Sequence, residues 1–279
     1  MPELPEVQSV VDSLKEQGCL NRKITDVITI MPKIFKNCSY EDFSNFIIGE
    51  KIIDISRIGK YLIFHLSNNK IFVVHLRMEG KLFFEKEHEK YDSKHVLVFI
   101  KMDEYEIRYH DTRRFGTFTI YNNDSYLNSK ELSKLGLDPL QKEFDWKYLK
   151  NNISKSSRAI KTALLDQSNV SGIGNIYADE ILFASRIHPE TLSNKLRDDD
   201  FKQLAKNATL ILTKAVINKG TTISTYYHKK DQKGNFQKFL KVHTKKDFNC
   251  LNCDSKIIKI KVNGRGTYLC PNCQKVKKC

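Results

Sequence analysis

The stretch Cys250-Leu-Asn-Cys253, followed sixteen residues later by Cys270-Pro-Asn-Cys273 with Gly264-Arg265-Gly266-Thr267 between them, decides how the chain ends. Two Cys-x-x-Cys turns can each aim two sulfurs at one ion, and the intervening residues are long enough for a hairpin. The spacing is that of a structural zinc site with four thiolates: Cys250, Cys253, Cys270 and Cys273. Two disulfides are the alternative reading. The lack of a basic stretch followed by an apolar one at the N-terminus argues against an oxidising compartment and makes cytoplasm the expected location. Cys19, Cys38 and Cys279 look unpaired.

Working outward from the hairpin, the surroundings are strongly basic. From Lys219 onward there are fifteen Lys or Arg against three Asp, so the last fifth of the chain carries most of a net charge of +14. Solvated surface explains a mild excess of lysine but not this polarity, and a polyanion such as nucleic acid is the expected partner. No apolar run approaches the ~20 residues of a membrane span. With 279 residues and a hydrophobic fraction of 40%, the chain can bury a real core and form more than one domain.

Periodicity divides the chain. Val7, Val10, Val11 and Leu14 recur at helical spacing over 5–17, and Gly18 stops that helix. A second short helix is expected over 39–48, with a Ser39 cap and a Gly49 stop. Strands are expected over 23–30, 51–56, 61–66, 71–75, 81–84, 95–101 and 106–110, with Asp103-Glu104 turning a hairpin. Many short strands separated by turn signals predict a β-sandwich. After about residue 122 the pattern becomes helical, over 129–134, 146–152, 158–166, 176–186 and 198–218. Glycines 172 and 174 precede a helix starting near Asn175, where backbone amides could approach a phosphate; an ordinary interhelical turn fits the same residues.

At the other end, Met1-Pro2-Glu3-Leu4-Pro5-Glu6 has two readings. Removal of Met1 would expose a secondary amine on Pro2, a nucleophile toward an aldehyde-level carbon, with carboxylates beside it to move protons. Equally, proline and acidic residues suit the first turn of a helix.

Several separated segments share one resemblance: Met1–Val7, Gly59-Lys60-Tyr61, His75-Leu-Arg-Met78-Glu79-Gly80 and Asp111-Thr-Arg113-Arg-Phe115-Gly116. Gly172-Ile-Gly-Asn175-Ile-Tyr177 and Gly264–Thr267 belong with them. Together, and in this order, they resemble bacterial formamidopyrimidine-DNA glycosylases, bifunctional enzymes that remove oxidised purines and nick the abasic site. The resemblance implies an α+β multidomain fold: an N-terminal β-sandwich with flanking helices (1–121), a helix–two-turn–helix domain (122–219), and a lesion-covering loop with a zinc-finger hairpin (220–279). It implies one structural Zn2+ and, as partner, double-stranded DNA carrying oxidised bases or abasic sites, with the protein a monomer.

The resemblance also implies residue roles. Pro2 is the nucleophile, Glu3 the general acid and Glu6 its support; Lys60 assists proton transfer, and Arg265 grips the backbone beside the lesion. Met78, Arg113 and Phe115 fill the space left by an extruded nucleotide. His95, Lys155, Lys161 and Asn175 contact DNA, while Glu79, Thr225 and Tyr226 face the lesion. Read without the resemblance, Lys60 is an exposed lysine at a strand start and Met78 and Phe115 are core residues. The chain departs from many relatives at Ser93, Ser156 and Ser224, which leaves lesion selectivity less determined than catalysis. The sister glycosylases for oxidised pyrimidines, called endonuclease VIII-like, share the nucleophile. Leu4 and the segment 220–241 favour the purine enzymes. A non-catalytic zinc-dependent DNA-binding protein is a third reading, which has no use for a free amine.

Overall fold

The computed structural model describes residues 1–87, 93–221, 227–229 and 232–276. They form two compact units, one of residues 1–133 and 219–235, the other of 134–218 and 236–279. This division differs from three consecutive segments. The sixty C-terminal residues split, with 219–235 joining the first unit and the zinc hairpin joining the helices.

The first unit begins with α1 (Leu4–Glu16), whose buried side chains include Val7, Val10, Val11 and Leu14. The strand β1 (Asp26–Thr29) and the helix α2 (Tyr40–Ile47) follow, and the Ser39 hydroxyl accepts the Asp42 amide at 3.0 Å as the N-cap. The strands β2 (Ile52–Ile58), β3 (Tyr61–Leu66), β4 (Lys70–His75), β5 (Lys81–Lys86), β6 (Val96–Met102), β7 (Tyr105–His110) and β8 (Thr117–Asn122) complete the sandwich. One antiparallel sheet runs β1-β6-β7-β5 and the other β2-β3-β4-β8. Apolar residues of both sheets and of α1 share one core, in which Phe64 and Phe72 stack at 4.2 Å.

Besides the connection from β1 to β2 through α2, two connections cross between the sheets. Residues 76–80 join β4 to β5, and residues 111–116 join β7 to β8. The pairs Lys81↔His110 and His75↔Thr117 put these crossings side by side at one end of the sandwich. The strands β9 (Tyr227–Lys229) and β10 (Gln232–Lys233) form a short antiparallel pair, of which β9 lies against α1 and β5.

The second unit contains α3 (Trp146–Ile153), α4 (Ile160–Leu165), α5 (Asn175–Ala184) and α6 (Asp198–Ile217), then the hairpin of β11 (Ile258–Val262) and β12 (Arg265–Leu269). Helix α5 is buried from Tyr177 to Phe183 and packs on α4, α6 and β12. It shows little amphipathic pattern because neighbours cover it on several sides. The expected helix over 129–134 is a run of turns in which the Leu132 and Ser133 amides both bond the Ser129 carbonyl. Leu132 is the one buried apolar residue of this stretch, so little packing is available to hold a short helix.

Candidate active site and nucleic-acid interface

Helix α1 places the amino terminus. The Glu3 amide donates to Glu6 Oε2 at 2.9 Å, and both carboxyl side chains are 3% exposed. Glu6 Oε1 accepts the Thr221 amide at 2.7 Å and its hydroxyl at 3.0 Å. One carboxylate therefore ties the start of α1 to the segment 219–235. Gly220 makes the approach possible: its φ is +71°, and a Cβ there would lie 2.6 Å from Glu6 Oε1.

Lys60 follows Gly59 in the two-residue turn between β2 and β3, where Gly59 has φ +57°. The turn is braced toward α1 by Arg57, whose Nη1 donates to the Gly59 carbonyl at 2.9 Å and whose Nε donates to Gln8 Oε1 at 3.2 Å. Lys60 is only 4% exposed, so it is not the surface lysine that its position at a strand start would suggest.

Burial holds the Met1 amine below its ordinary pKa, and Lys60 pushes the same way. Glu3, Glu6 and Glu79 act on it in the opposite sense. Pro2 is itself buried. The first unit thus gathers Pro2, Glu3, Glu6, Lys60 and Glu79 about the amino terminus. His75 lies close by with its ring against Tyr61, and burial, then Arg77 and Lys60, push its pKa down to about 3. Its Nδ1 accepts the Arg77 amide at 2.9 Å.

The sheet crossings carry Met78, Arg113 and Phe115. Met78 and Phe115 are 38% and 53% exposed, so neither is a core residue. The Arg113 guanidinium lies over the Phe115 ring at 5.0 Å. Glu79 accepts a hydrogen bond from the Thr112 hydroxyl, joining one crossing to the other. His95 is half-buried, and its carbonyl accepts the Asp111 amide at 3.0 Å. Sequence reasoning missed the part played by Asp111. It is 1% exposed and accepts the amides of Arg113, Phe115 and Gly116 at 3.0, 2.9 and 2.9 Å. The signal was an Asp at the head of a tight turn, a residue type that caps its own backbone.

In the second unit, α4 and α5 are joined by two turns built on Gln167. Its side chain donates to the Leu165 and Ile173 carbonyls at 3.0 and 2.9 Å and accepts the Gly172 amide at 2.9 Å. Asn175 opens α5, and its Nδ2 donates to the Gly266 carbonyl at 3.0 Å. Arg265, next along, is exposed at the start of β12, after the Asn263-Gly264 turn. Both turn residues have positive φ, the requirement of a type I′ hairpin. Lys155 is exposed, and Ser156 caps the Arg158 amide instead of adding charge.

Lys161 corrects its expected role as a surface DNA contact. Its side chain is buried, with Nζ 2.7 Å from Asp179 Oδ1 and 2.8 Å from the Thr267 hydroxyl. A phosphate would have to displace those partners inside the protein. Thr225 and Tyr226, expected to face the lesion, and Ser224 lie outside the described residues.

The sulfurs of Cys250, Cys253, Cys270 and Cys273 converge, all within 4.8 Å of one another. A tetrahedral thiolate site with Zn–S near 2.3 Å has sulfurs about 3.8 Å apart. Here Cys250 and Cys273 are separated by 3.8 Å, and Cys253 and Cys270 by 3.4 Å. These separations are too long for a disulfide of about 2.05 Å. The Asn252 and Cys273 amides point at Cys250 and Cys270 sulfur at 3.4 Å, as thiolates require. The donor set fits one structural zinc ion. Gln274, also missed, is fully buried and locks the site: its Oε1 accepts the Cys270 amide and its Nε2 donates to the Ile187 carbonyl, both at 2.9 Å.

The first unit is thus a sandwich with acids and a lysine gathered at its amino terminus, and the second a helix–two-turn–helix unit ending in a four-thiolate hairpin. Residues 1–118 match the formamidopyrimidine-DNA glycosylase N-terminal domain, 135–227 its H2TH domain, and 249–276 the zinc finger found in FPG and IleRS. The chain belongs to the formamidopyrimidine-DNA glycosylase family. The relative from Mycoplasma pneumoniae is 50% identical over 98% of this chain and 99% of its own. That from Listeria monocytogenes is 41% identical over 99% and 100%. Among solved structures, a Lactococcus lactis FPG mutant with DNA containing Fapy-dG has a TM-score of 0.92 at 36% identity, covering 98% of this chain and all of the other. The Lactococcus protein with abasic-site DNA gives the same TM-score and identity, over 98% of this chain and 99% of that one. Among the described residues no helix is long and apolar enough to cross a membrane.

Proposed function

We propose that the protein excises oxidised purines from duplex DNA through a Schiff base on Pro2 and then nicks the resulting abasic site. One observation carries this reading: Pro2 is buried at the head of α1 beside the buried Glu3 and Glu6 carboxyl groups, with Lys60 and Glu79 within electrostatic reach of the amine that precedes it. Burial disfavours the charged form of an amine, and only the neutral form has a lone pair to attack with.

The reaction requires removal of Met1, because in the untrimmed chain the Pro2 nitrogen is an amide. The freed amine forms a bond to C1′ of the damaged nucleotide as the glycosidic bond breaks, and the base leaves with a proton. Glu3 donates a proton to the opening sugar ring, and the nitrogen lone pair gives an iminium at C1′. The iminium acidifies the C2′ hydrogen. Loss of that proton expels the 3′ phosphate, and a second elimination expels the 5′ phosphate. Lys60 moves protons in these steps, and Arg265 with Asn175 holds phosphate. Met78, Arg113 and Phe115 fill the vacated stack. Cys250, Cys253, Cys270 and Cys273 would hold the zinc ion, which would supply a structural cross-link to the hairpin that bears Arg265.

The decisive experiment is borohydride reduction with duplex DNA carrying 8-oxoguanine opposite cytosine. A covalent adduct is expected with the trimmed protein and none with a preparation shown by mass spectrometry to retain Met1. An adduct on the Met1 form would move the nucleophile elsewhere. A panel of 8-oxoguanine, formamidopyrimidine and thymine glycol substrates separates purine from pyrimidine selectivity, and faster excision of thymine glycol would overturn the purine reading.

A further inference from the structure

The two sheet crossings that carry Met78, Arg113 and Phe115 meet on one buried group. Tyr109, on β7, is 1% exposed, and its hydroxyl donates to Asp111 Oδ2 at 3.0 Å. The same oxygen accepts the Phe115 and Gly116 amides, while Oδ1 accepts that of Arg113. The hydroxyl also presses against both crossings. A Cβ on Gly116 would fall 1.7 Å from it and a Cβ on Gly80 2.4 Å from it, so neither position admits a side chain without displacing the phenol. Each crossing additionally holds one arginine in the left-handed region, Arg77 at φ +54° and Arg114 at φ +58°. Such residues persist only where the surroundings over-determine them.

We infer that the Tyr109 hydroxyl and the Asp111 carboxylate are a positioning pair that fixes the two crossings to each other, so that Met78, Arg113 and Phe115 enter the base stack as one rigid unit. The inference rests on the proposed extrusion of the damaged nucleotide. Three separately mobile side chains would each lose rotational and backbone freedom on insertion, whereas a preorganised unit has lost it on folding. The anchor is polar and buried, so one missing hydrogen bond leaves a desolvated group behind it. Tyr109→Phe keeps the ring but removes the hydroxyl that donates to Asp111 Oδ2. Asp111→Asn replaces one acceptor oxygen with a donor facing backbone amides.

The test uses the trimmed full-length protein and two substrates. The first is duplex DNA with 8-oxoguanine and 2-aminopurine as its neighbour, whose fluorescence rises when the stack is opened. The second is a single-stranded abasic oligonucleotide, which has no stack to enter and reports Schiff-base formation alone. For Tyr109→Phe, about tenfold slower excision and a smaller fluorescence rise are expected on the duplex, with borohydride trapping on the single strand as in wild type. Asp111→Asn should show the same split more strongly, and the double variant should be no worse than Asp111→Asn alone, as members of one unit are non-additive. Equal losses on both substrates would assign the pair to general stability and overturn the inference. So would a normal fluorescence rise in Tyr109→Phe. If wild type fails to form an adduct on either substrate, the proposed reaction itself falls, an outcome distinct from both.

Discussion

Lys161 Nζ lies 2.7 Å from Asp179 Oδ1, with both side chains sealed from solvent. Asp179 Oδ2 in turn meets His243 Nδ1 at 2.7 Å and the Tyr268 amide at 3.2 Å. The Gly266 carbonyl accepts from Asn175 Nδ2 and from Lys161 Nζ. Helices α4 and α5 are thereby joined to the strand that begins at Arg265. A buried ion pair is weak evidence for net stability, but removing one partner strands the other charge.

Lys161→Met should therefore destabilise the protein by about 3–5 kcal/mol. Chemical denaturation checks the size. Replacing Lys161 and Asp179 together by Met and Leu should recover much of the loss, and a double variant as unstable as the sum of both would contradict a paired charge.

Glu6→Gln should loosen the 219–235 segment. One carboxylate oxygen becomes an amide donor facing either the Glu3 amide or the Thr221 amide and hydroxyl, a cost of about 1–3 kcal/mol for an unsatisfied buried group. Limited proteolysis should cut the variant within 219–235 faster than wild type. Unchanged cleavage would show that Glu6 does not tether the segment.

Cys270→Ser should reduce zinc from one ion per chain to none. Retained zinc by mass spectrometry would refute the four-thiolate site. Since Cys250 and Cys270 share a buried cluster with Phe183, Val242 and Ile257, the loss should also lower the melting temperature.

His75 makes stability depend on pH. Its folded pKa, near 3, lies below the ordinary 6.5, so as pH falls through 6.5 the unfolded chain takes up a proton that the folded protein refuses. Stability from this group is complete above 6.5 and declines continuously toward pH 3. His75→Asn, which keeps an acceptor for the Arg77 amide, should flatten the drop in melting temperature between pH 7 and 5. An identical slope in both proteins would remove His75 as its source.

The sequence by itself determined the elements and the zinc ligands. Seven of the eight sandwich strands and all six helices follow from period and punctuation, with 129–134 expected in excess, because turn residues and apolar alternation are local properties. The zinc cysteines are legible for the same reason: each pair sits in one short turn. Strand β8 escaped because its signal over 117–122 fell between a recognised motif and a change toward helical composition. What only the tertiary structure decided are the meetings. Nothing local makes Lys161 a buried ion-pair partner, seats the Tyr109 hydroxyl between Gly80 and Gly116, or brings Thr221 to Glu6 across 215 positions of chain. Spacing reports which face a residue shares with its near neighbours. A buried lysine and an exposed one look alike until the fold supplies, or withholds, a carboxylate to offset desolvation.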